Sequence, residues 1–336
     1  MWNEVRMKNI SLADKLKYWL KEPQYPEIGI ELNSDYIRLA AVSLDGDRIR
    51  LEHLDSEALP AGAIEPNPLK TNIHSLEVVS EKLRRMWQRS SFRESKVCLL
   101  LQDRCALTFQ VTLEQRPGSR KECLDLIRFK LKKNVPFRIE DAQINYFNPS
   151  GGNDFGGSLF WAVVMNHSVL QQYEQLINST IESECGLVDL STFNLVNLAQ
   201  AEIKQANLQS QDVLFVNLNR DYISIAIMQN GALMFYRNRP LERQNGLMAE
   251  ALAEIHPAAM YYVDKLEGKG LSRAFIYSVE DPAGLSRNVQ NALNIPAVII
   301  SPQGVVQPRH ELGGPDALNS YAPLLGLILS RKVEFQ

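Results

Sequence analysis

Apolar positions in the first third of the chain alternate with a strand-like period and then switch to a helical one. EIGIEL, YIRLAAVSL and DRIRLEHL are short apolar or alternating runs separated by NSD and by Asp45-Gly46. Asp-Gly between two such runs is a hairpin signal, so residues 27–54 predict a three-strand meander. Pro60, Gly62, Pro66 and Pro68 mark a turn-rich connection. Ser75 then caps a predicted helix with Leu76, Val79, Leu83, Met86 and Trp87 on one face.

KVCLLL and CALTFQVTL read as strands. Ser119 with Glu122 forms a capping box for a helix running to about Lys133 and stopped by Pro136. DAQINYF and SLFWAVVM are two further strands, joined by NPSGGNDFGG. That loop is glycine-rich, fits neither phosphate-binding fingerprint, and reads as a flexible hairpin tip. Ser168 with Gln171 is the expected start of the next helix and Gly186 its expected C-cap. STFNLVNLAQAEIKQ predicts a helix leading into the second half.

The opening pattern then returns. DVLFVNL, NRD, YISIAIMQ, Asn230-Gly231 and ALMFYRNRPL repeat strand, tight turn, strand, hairpin turn and strand. The corner LNSDYI at 32–37 recurs as LNRDYI at 218–223, which points to an internal duplication. The remainder alternates: a helix through LMAEALAEIHPAAMYYVDKL, strand AFIYSV, helix LSRNVQNAL, strand PAVII, and a last helix in DALNSYAPLLGLIL. Such alternation predicts a mixed α/β fold.

The chain has 336 residues, which suggests more than one domain. Its 45% apolar content suffices for ordinary globular cores. A net charge of −3 gives no reason to expect nucleic-acid binding. No apolar run approaches the roughly 20 residues that span a bilayer, and no signal peptide is expected at the start. Cys98, Cys105, Cys123 and Cys185 lack C-x-x-C pairing and read as buried free thiols of a reducing compartment. The five histidines are scattered, so no metal site is expected. Near the start, SLADKLKYWLKEP places Leu12, Leu16, Trp19 and Leu20 on one helical face. This segment would either pack on the protein itself or lie on an anionic membrane surface.

Two copies of a meander whose first turn faces a cleft resemble the actin-like ATPases. IGIELNSDYIRLAAVSLDGDRIRLEHLDSEALPAGAI resembles the opening of the PilM family of type IV pilus assembly proteins. ECLDLIRFKLKKNVPFRIEDAQINY resembles that family's inserted domain, GLVDLSTFNLVNLAQAE its crossover helix, and ALNIPAVIISP and YAPLLGLILSR its late elements. The likeness is spread over most of residues 26–332 as many short segments rather than one sharp motif. It implies a two-lobed actin-like (ribonuclease H-like) α/β fold with an inserted small α+β (SHS2-like) domain. The expected organisation is a helical extension at 1–25, a first lobe at 26–94 with 186–210, and a strand–strand–helix–strand–strand insertion at 95–185. The second lobe is expected at 211–240 with 301–336, carrying a subdomain at 241–300.

In actin-like ATPases the two corners grip phosphates and a carboxylate on each first strand holds the metal's water shell. This sequence departs there. Asn33 and Asn219 stand for glycines, Glu31 for aspartate, and Asn217 where the second carboxylate would be. Ser34, Asp35, Arg220 and Asp221 complete the corners; Arg220 could pair with phosphate or with a carboxylate. SVEDPAG at 278–284 replaces the adenosine-side Gly-Gly, and QNG at 244–246 replaces a glycine-rich helix start. The expectation is therefore a pseudo-ATPase with no catalytic residues, no metal and no cofactor, with ATP and magnesium as the alternative.

The resemblance implies a cytoplasmic scaffold within an inner-membrane complex. It would bind the N-terminal peptide of a PilN-like membrane protein in the groove between the first lobe and the insertion. Expected groove residues are Arg128, Phe129, Lys133, Pro136 and Phe137. Contact with the pilus motor ATPase and self-association stay open. Alternatives are an active actin-like ATPase, an FtsA-like filament former, or the cytoplasmic part of a GspL-like type II secretion protein. FtsA would call for a C-terminal membrane helix, and GspL for a transmembrane helix and a further domain.

Overall fold

A computed structural model describes residues 26–45, 48–90, 92–149, 158–244, 246–308 and 314–330. The amphipathic segment at 11–23, Gly46 of the first hairpin turn, most of the NPSGGNDFGG loop and Asn245 of QNG lie outside them.

The first predicted meander forms as β1 (Ile28–Leu32), β2 (Tyr36–Asp45) and β3 (Arg48–Ala58). Strands β4 (Lys96–Leu101) and β8 (Glu184–Leu190) add to it in parallel, and the two-residue β14 (Gln307–Pro308) pairs with β3 at the other edge. The second meander is β9 (Val213–Leu218), β10 (Tyr222–Gln229) and β11 (Ala232–Pro240), extended in parallel by β12 (Arg273–Ser278) and β13 (Ala297–Ile299). The sheet orders β3-β2-β1-β4-β8 and β11-β10-β9-β12-β13 correspond strand for strand. The register shifts correspond as well: one falls between Ala41 and Val42, the other between Ile227 and Met228, at the same step after each corner. The duplication expected from the repeated corner is thus a duplication of the whole sheet. Asn230 (φ 49°) and Gly231 (φ 77°) are both left-handed, as a tight Asn-Gly hairpin turn requires.

Both sheets are buried on two faces, which explains why β1, β4 and β9 are nearly unbroken apolar runs. Outside the first sheet lie α1 (Leu76–Ser90) and α3 (His167–Ile181), packed on Ile28, Ile30, Val97 and Leu99. Outside the second lie α5 (Leu247–Lys265) and α6 (Pro282–Leu293). Between the sheets run α4 (Ser191–Gln205) and α8 (Ala322–Leu329), the latter preceded by the short α7 (Pro315–Ser320). Helix α8 is apolar throughout and wholly buried, as a helix enclosed on all sides must be. Gly29 and Gly326 allow its close approach: a Cβ on Gly29 would stand 2.8 Å from Ile328, and one on Gly326 2.1 Å from the Asn194 carbonyl oxygen.

The inserted unit is smaller than the sequence suggests. Its sheet, β5-β7-β6, comprises β5 (Leu107–Thr112), β6 (Ala142–Phe147) and β7 (Leu159–Asn166), with α2 (Arg120–Leu131) on one face. The predicted boundary at 95 is corrected by β4, which pairs with β1 in the first lobe. At the other boundary, α3 packs on α1 and β8 pairs with β4. Likewise 301–336 does not belong to the second lobe alone: β14 pairs with β3 and α8 packs against β1. Nor is 241–300 separate, because β12 and β13 are strands of the second sheet. Periodicity identifies a strand or a helix but not the element it packs against, and the boundary errors have that origin.

Two local readings change for physical reasons. Helix α3 is capped by Asn166, whose side chain accepts from the Ser168 N–H, rather than by Ser168. Its C-cap is Glu182 (φ 56°); Gly186 lies inside β8, where a Cβ would stand 3.0 Å from Pro26.

Candidate functional site

The two repeated corners meet at the centre of the molecule. Each is closed by its own backbone bond, Asn33 N–H to the Tyr36 carbonyl (3.0 Å) and Asn219 N–H to the Tyr222 carbonyl (2.9 Å). Their side chains then meet each other. Asn33 Nδ2 donates to Asn219 Oδ1 at 3.3 Å, and Asn219 Nδ2 donates to Asn217 Oδ1 at 2.9 Å. Gln102 Nε2 donates to Asn33 Oδ1 and to Ser34 Oγ. These corner side chains are hydrogen-bonded to one another, whereas Gln102 Oε1 and the Tyr222 hydroxyl beside them are buried with no hydrogen-bond partner.

Two carboxylates nearby, Glu31 and Asp221, are hydrogen-bonded through one oxygen each, and Glu31 Oε2 and Asp221 Oδ1 are buried without a hydrogen-bond partner. Glu31 is 4% exposed; its Oε1 accepts from the Tyr36 hydroxyl at 3.0 Å and its Oε2 lies 3.6 Å from Arg38. Burial pushes the Glu31 carboxyl above its ordinary range, and the Arg38 guanidinium opposes that shift. Arg38 lies over the Tyr36 ring at 3.8 Å and donates to the Tyr277 hydroxyl and the Ser320 carbonyl, tying the first corner to the second sheet and to α7. Asn217 donates to Asp103 (3.2 Å), Ser191 (3.1 Å) and Thr192 (2.9 Å), so the residue standing where a second carboxylate is expected serves a side-chain network. Asp103 also accepts from the Thr192 amide and hydroxyl and from Ser224, and burial raises its pKa above the usual range. Among the described residues, no group of three His, Cys, Asp or Glu side chains is placed to hold a metal ion.

At the rim, Arg220 takes the carboxylate alternative: its Nε lies 2.9 Å from Glu280 and 3.6 Å from Asp35. Asp221 pairs with Arg104 at 3.1 Å. In SVEDPAG, Asp281 caps α6 by accepting from the Gly284 N–H at 2.8 Å, which makes the segment a helix start. Gln102, Asp103 and Arg104 were not anticipated from sequence. Their signal was a polar QDR directly after the apolar strand KVCLLL, at the end of a parallel strand where sites gather.

A second concavity of about 570 Å³ lies between the insertion, the first lobe and α4. One face of the insertion sheet floors it through Phe147, Val163 and Met165; Leu170, Val188 and Phe193 line the opposite side, with Leu233 from the second lobe. Both β6 and β8, which contribute to it, are outermost strands of their sheets. Trp161 Nε1 donates to the Leu233 carbonyl at 2.8 Å and fixes the insertion against the second lobe. None of Arg128, Phe129, Lys133, Pro136 and Phe137 lines this groove. Phe129 is 75% exposed on α2, and Phe137 packs on the insertion's own core. The sequence signal for the groove was FWAVVM, apolar on both faces, which a three-stranded sheet with one covering helix does not need.

A sequence model described as type IV pilus assembly protein PilM matches residues 29–245, more than half of the chain. The chain belongs to the PilM family. Among solved structures, the chain is similar to one titled PilM-PilN type IV pilus biogenesis complex, at 14% identity and a TM-score of 0.77. That match covers 93% of this chain and 100% of the other. Weaker similarity extends to a Bacteroides thetaiotaomicron protein with an actin-like ATPase fold (TM-score 0.48, 12% identity, 91% and 97% covered). It extends also to the cytoplasmic domain of EpsL from the Vibrio cholerae type II secretion system (TM-score 0.46, 11% identity, 90% and 97% covered). No curated protein sequence matches this chain. The PilM assignment agrees with the two-lobed actin-like fold. Among the described residues of this PilM-family chain, no helix is long and apolar enough to cross a membrane.

Proposed function

We propose that this PilM-family chain is a cytoplasmic adaptor of type IV pilus assembly. It binds the N-terminal segment of a PilN-like membrane protein in the groove between the insertion and the first lobe, and is held at the inner membrane by that partner. The groove carries this reading. It is mostly apolar, large enough for a short peptide, and bordered by β6 and β8, whose outer edges are free of a neighbouring strand among the described residues. An extended peptide can add main-chain hydrogen bonds to such an edge while its side chains fill apolar pockets. The structure titled as a PilM-PilN complex supports the class of partner.

The interlobe cleft is read as free of nucleotide. Its two corner asparagines bond to each other, Glu31 is engaged by Tyr36 and Arg38, and Asn217 replaces a carboxylate. Magnesium prefers oxygen ligands, and the carboxylates near the corners are already paired with arginines, a tyrosine or neutral donors. On this reading the adaptor's work is to couple partners rather than to turn over nucleotide.

Fluorescence anisotropy with labelled N-terminal peptides of candidate inner-membrane partners tests the adaptor reading. Saturable binding that is weakened by Leu170→Glu is the expected result. Absence of binding to every candidate peptide, or binding indifferent to groove substitutions, would remove it.

A further inference from the structure

Two ion pairs cross between the lobes at the corners that the Asn33–Asn219 contact joins. Arg104, just after β4 of the first lobe, lies 3.1 Å from Asp221 of the second corner. Arg220 of the second corner lies 3.6 Å from Asp35 of the first, with Glu280 behind it at 2.9 Å. Asp35 and Asp221 are equivalent positions of the repeated corner, so each corner carboxylate is held by an arginine of the opposite lobe. Deeper in, Asp103 of the first lobe accepts from Asn217 and Ser224 of the second. Turn geometry does not need these contacts, because each corner closes on its own backbone bond. What the cross-pairs join is one lobe to the other.

We infer that this junction is an interlobe clamp: Arg104–Asp221 and Arg220–Asp35, together with the Asn33–Asn219 hydrogen bond, hold the lobe closure that a bound ligand would otherwise have to stabilise. The inference rests on the reading of the cleft as free of nucleotide and is independent of the peptide groove. A pocket of about 690 Å³, lined in part by Asp35, Lys70, His74, Arg104 and Asp221, opens onto the clamp. The side chains of Arg104 and Asp221 are 29% and 30% exposed, so dissolved ions reach the outer pairs and weaken them.

Hydrogen–deuterium exchange of the full chain, resolved by peptide, tests the clamp. In Arg104→Gln/Arg220→Gln, segments 31–37 and 217–223 exchange at least ~10-fold faster than in the wild type, while α1 and α5 keep their protection. Molar salt accelerates the wild-type corners in the same direction. The charge exchange Arg104→Asp/Asp221→Arg brings the corners back toward wild-type rates. Wild-type corner exchange in the double variant, or a charge exchange that behaves like it, overturns the clamp. Should the double variant lose protection throughout, the milder Asp35→Asn gives the same readout at one pair. Slowing of corner exchange by magnesium-ATP would instead overturn the nucleotide-free reading, which separates the two failures.

Discussion

Asn33 and Asn219 occupy the same place in two copies of one corner, and they touch: the amide nitrogen of the first donates to the amide oxygen of the second across 3.3 Å, 186 residues away. Neither asparagine has a positive φ, so the corners need no glycine at these positions and close on their backbone bonds. The added amides convert two facing surfaces into one contact.

Magnesium-ATP at millimolar concentration is expected to leave the melting temperature of the wild type unchanged to within about 1 °C. Asn33→Gly/Asn219→Gly is expected to behave likewise, because Glu31 stays engaged by Tyr36 and Arg38 and position 217 still lacks a carboxylate. Differential scanning fluorimetry checks this, and a stabilisation of several degrees in the wild type would contradict it.

Phe129→Ser should change stability by less than about 0.5 kcal/mol, as exposed positions usually do, and leave peptide binding intact. Leu170→Glu, which puts a charge among the apolar lining, should lower peptide affinity by about tenfold or more. Urea titration and anisotropy on the same two variants decide between the exposed surface of α2 and the groove as the peptide site.

Gly326→Ala places a methyl group 2.1 Å from the Asn194 carbonyl oxygen, which belongs to the backbone of α4 and cannot turn aside. Forcing α8 away from α4 should cost about 1–3 kcal/mol, read as a lower urea midpoint. A neutral outcome would mean that the two helices are less tightly fixed than the spacing requires.

Asp103 gives stability a pH dependence of defined sign. Its hydrogen-bond partners, Thr192, Ser224 and Asn217, are neutral, and burial raises its carboxyl above the ordinary range. The folded chain therefore retains a proton that the unfolded chain has released. That contribution is complete below the usual aspartate value and is lost as pH rises through the native one. The unfolding free energy of the wild type minus that of Asp103→Asn should decline from about pH 4 upward and then level off. A difference independent of pH, measured by urea titration, would show that the network holds the carboxylate ionised.

Much of the fold was legible because it is written in local signals. Alternation, the Asn-Gly turn and the repeated LNxDYI corner marked both meanders, and the 3.6 period marked α1. Sheet membership was not legible: KVCLLL reads the same whether it joins the insertion or the first lobe, and only its parallel pairing with β1 decides. The corner residues were identified in sequence, but their partners were not. Arg104 is 117 residues from Asp221, and no short-range pattern links them. A groove between the first lobe and the insertion was expected, but its lining was not legible, because the residues come from β6, β7, α3, β8, α4 and β11, which no local pattern links.

The last buried helix has a consequence for biosynthesis. Residues 322–329 fill the space beside β1, whose own residues emerge from the ribosome some three hundred positions earlier. Until they arrive, the inward face of the first sheet lacks that cover, and apolar side chains such as Cys98 and Leu100 lose a packing partner. Nascent chains therefore stay aggregation-prone until residues 322–329 are made, and their solubility depends on whatever shields that face in the interval.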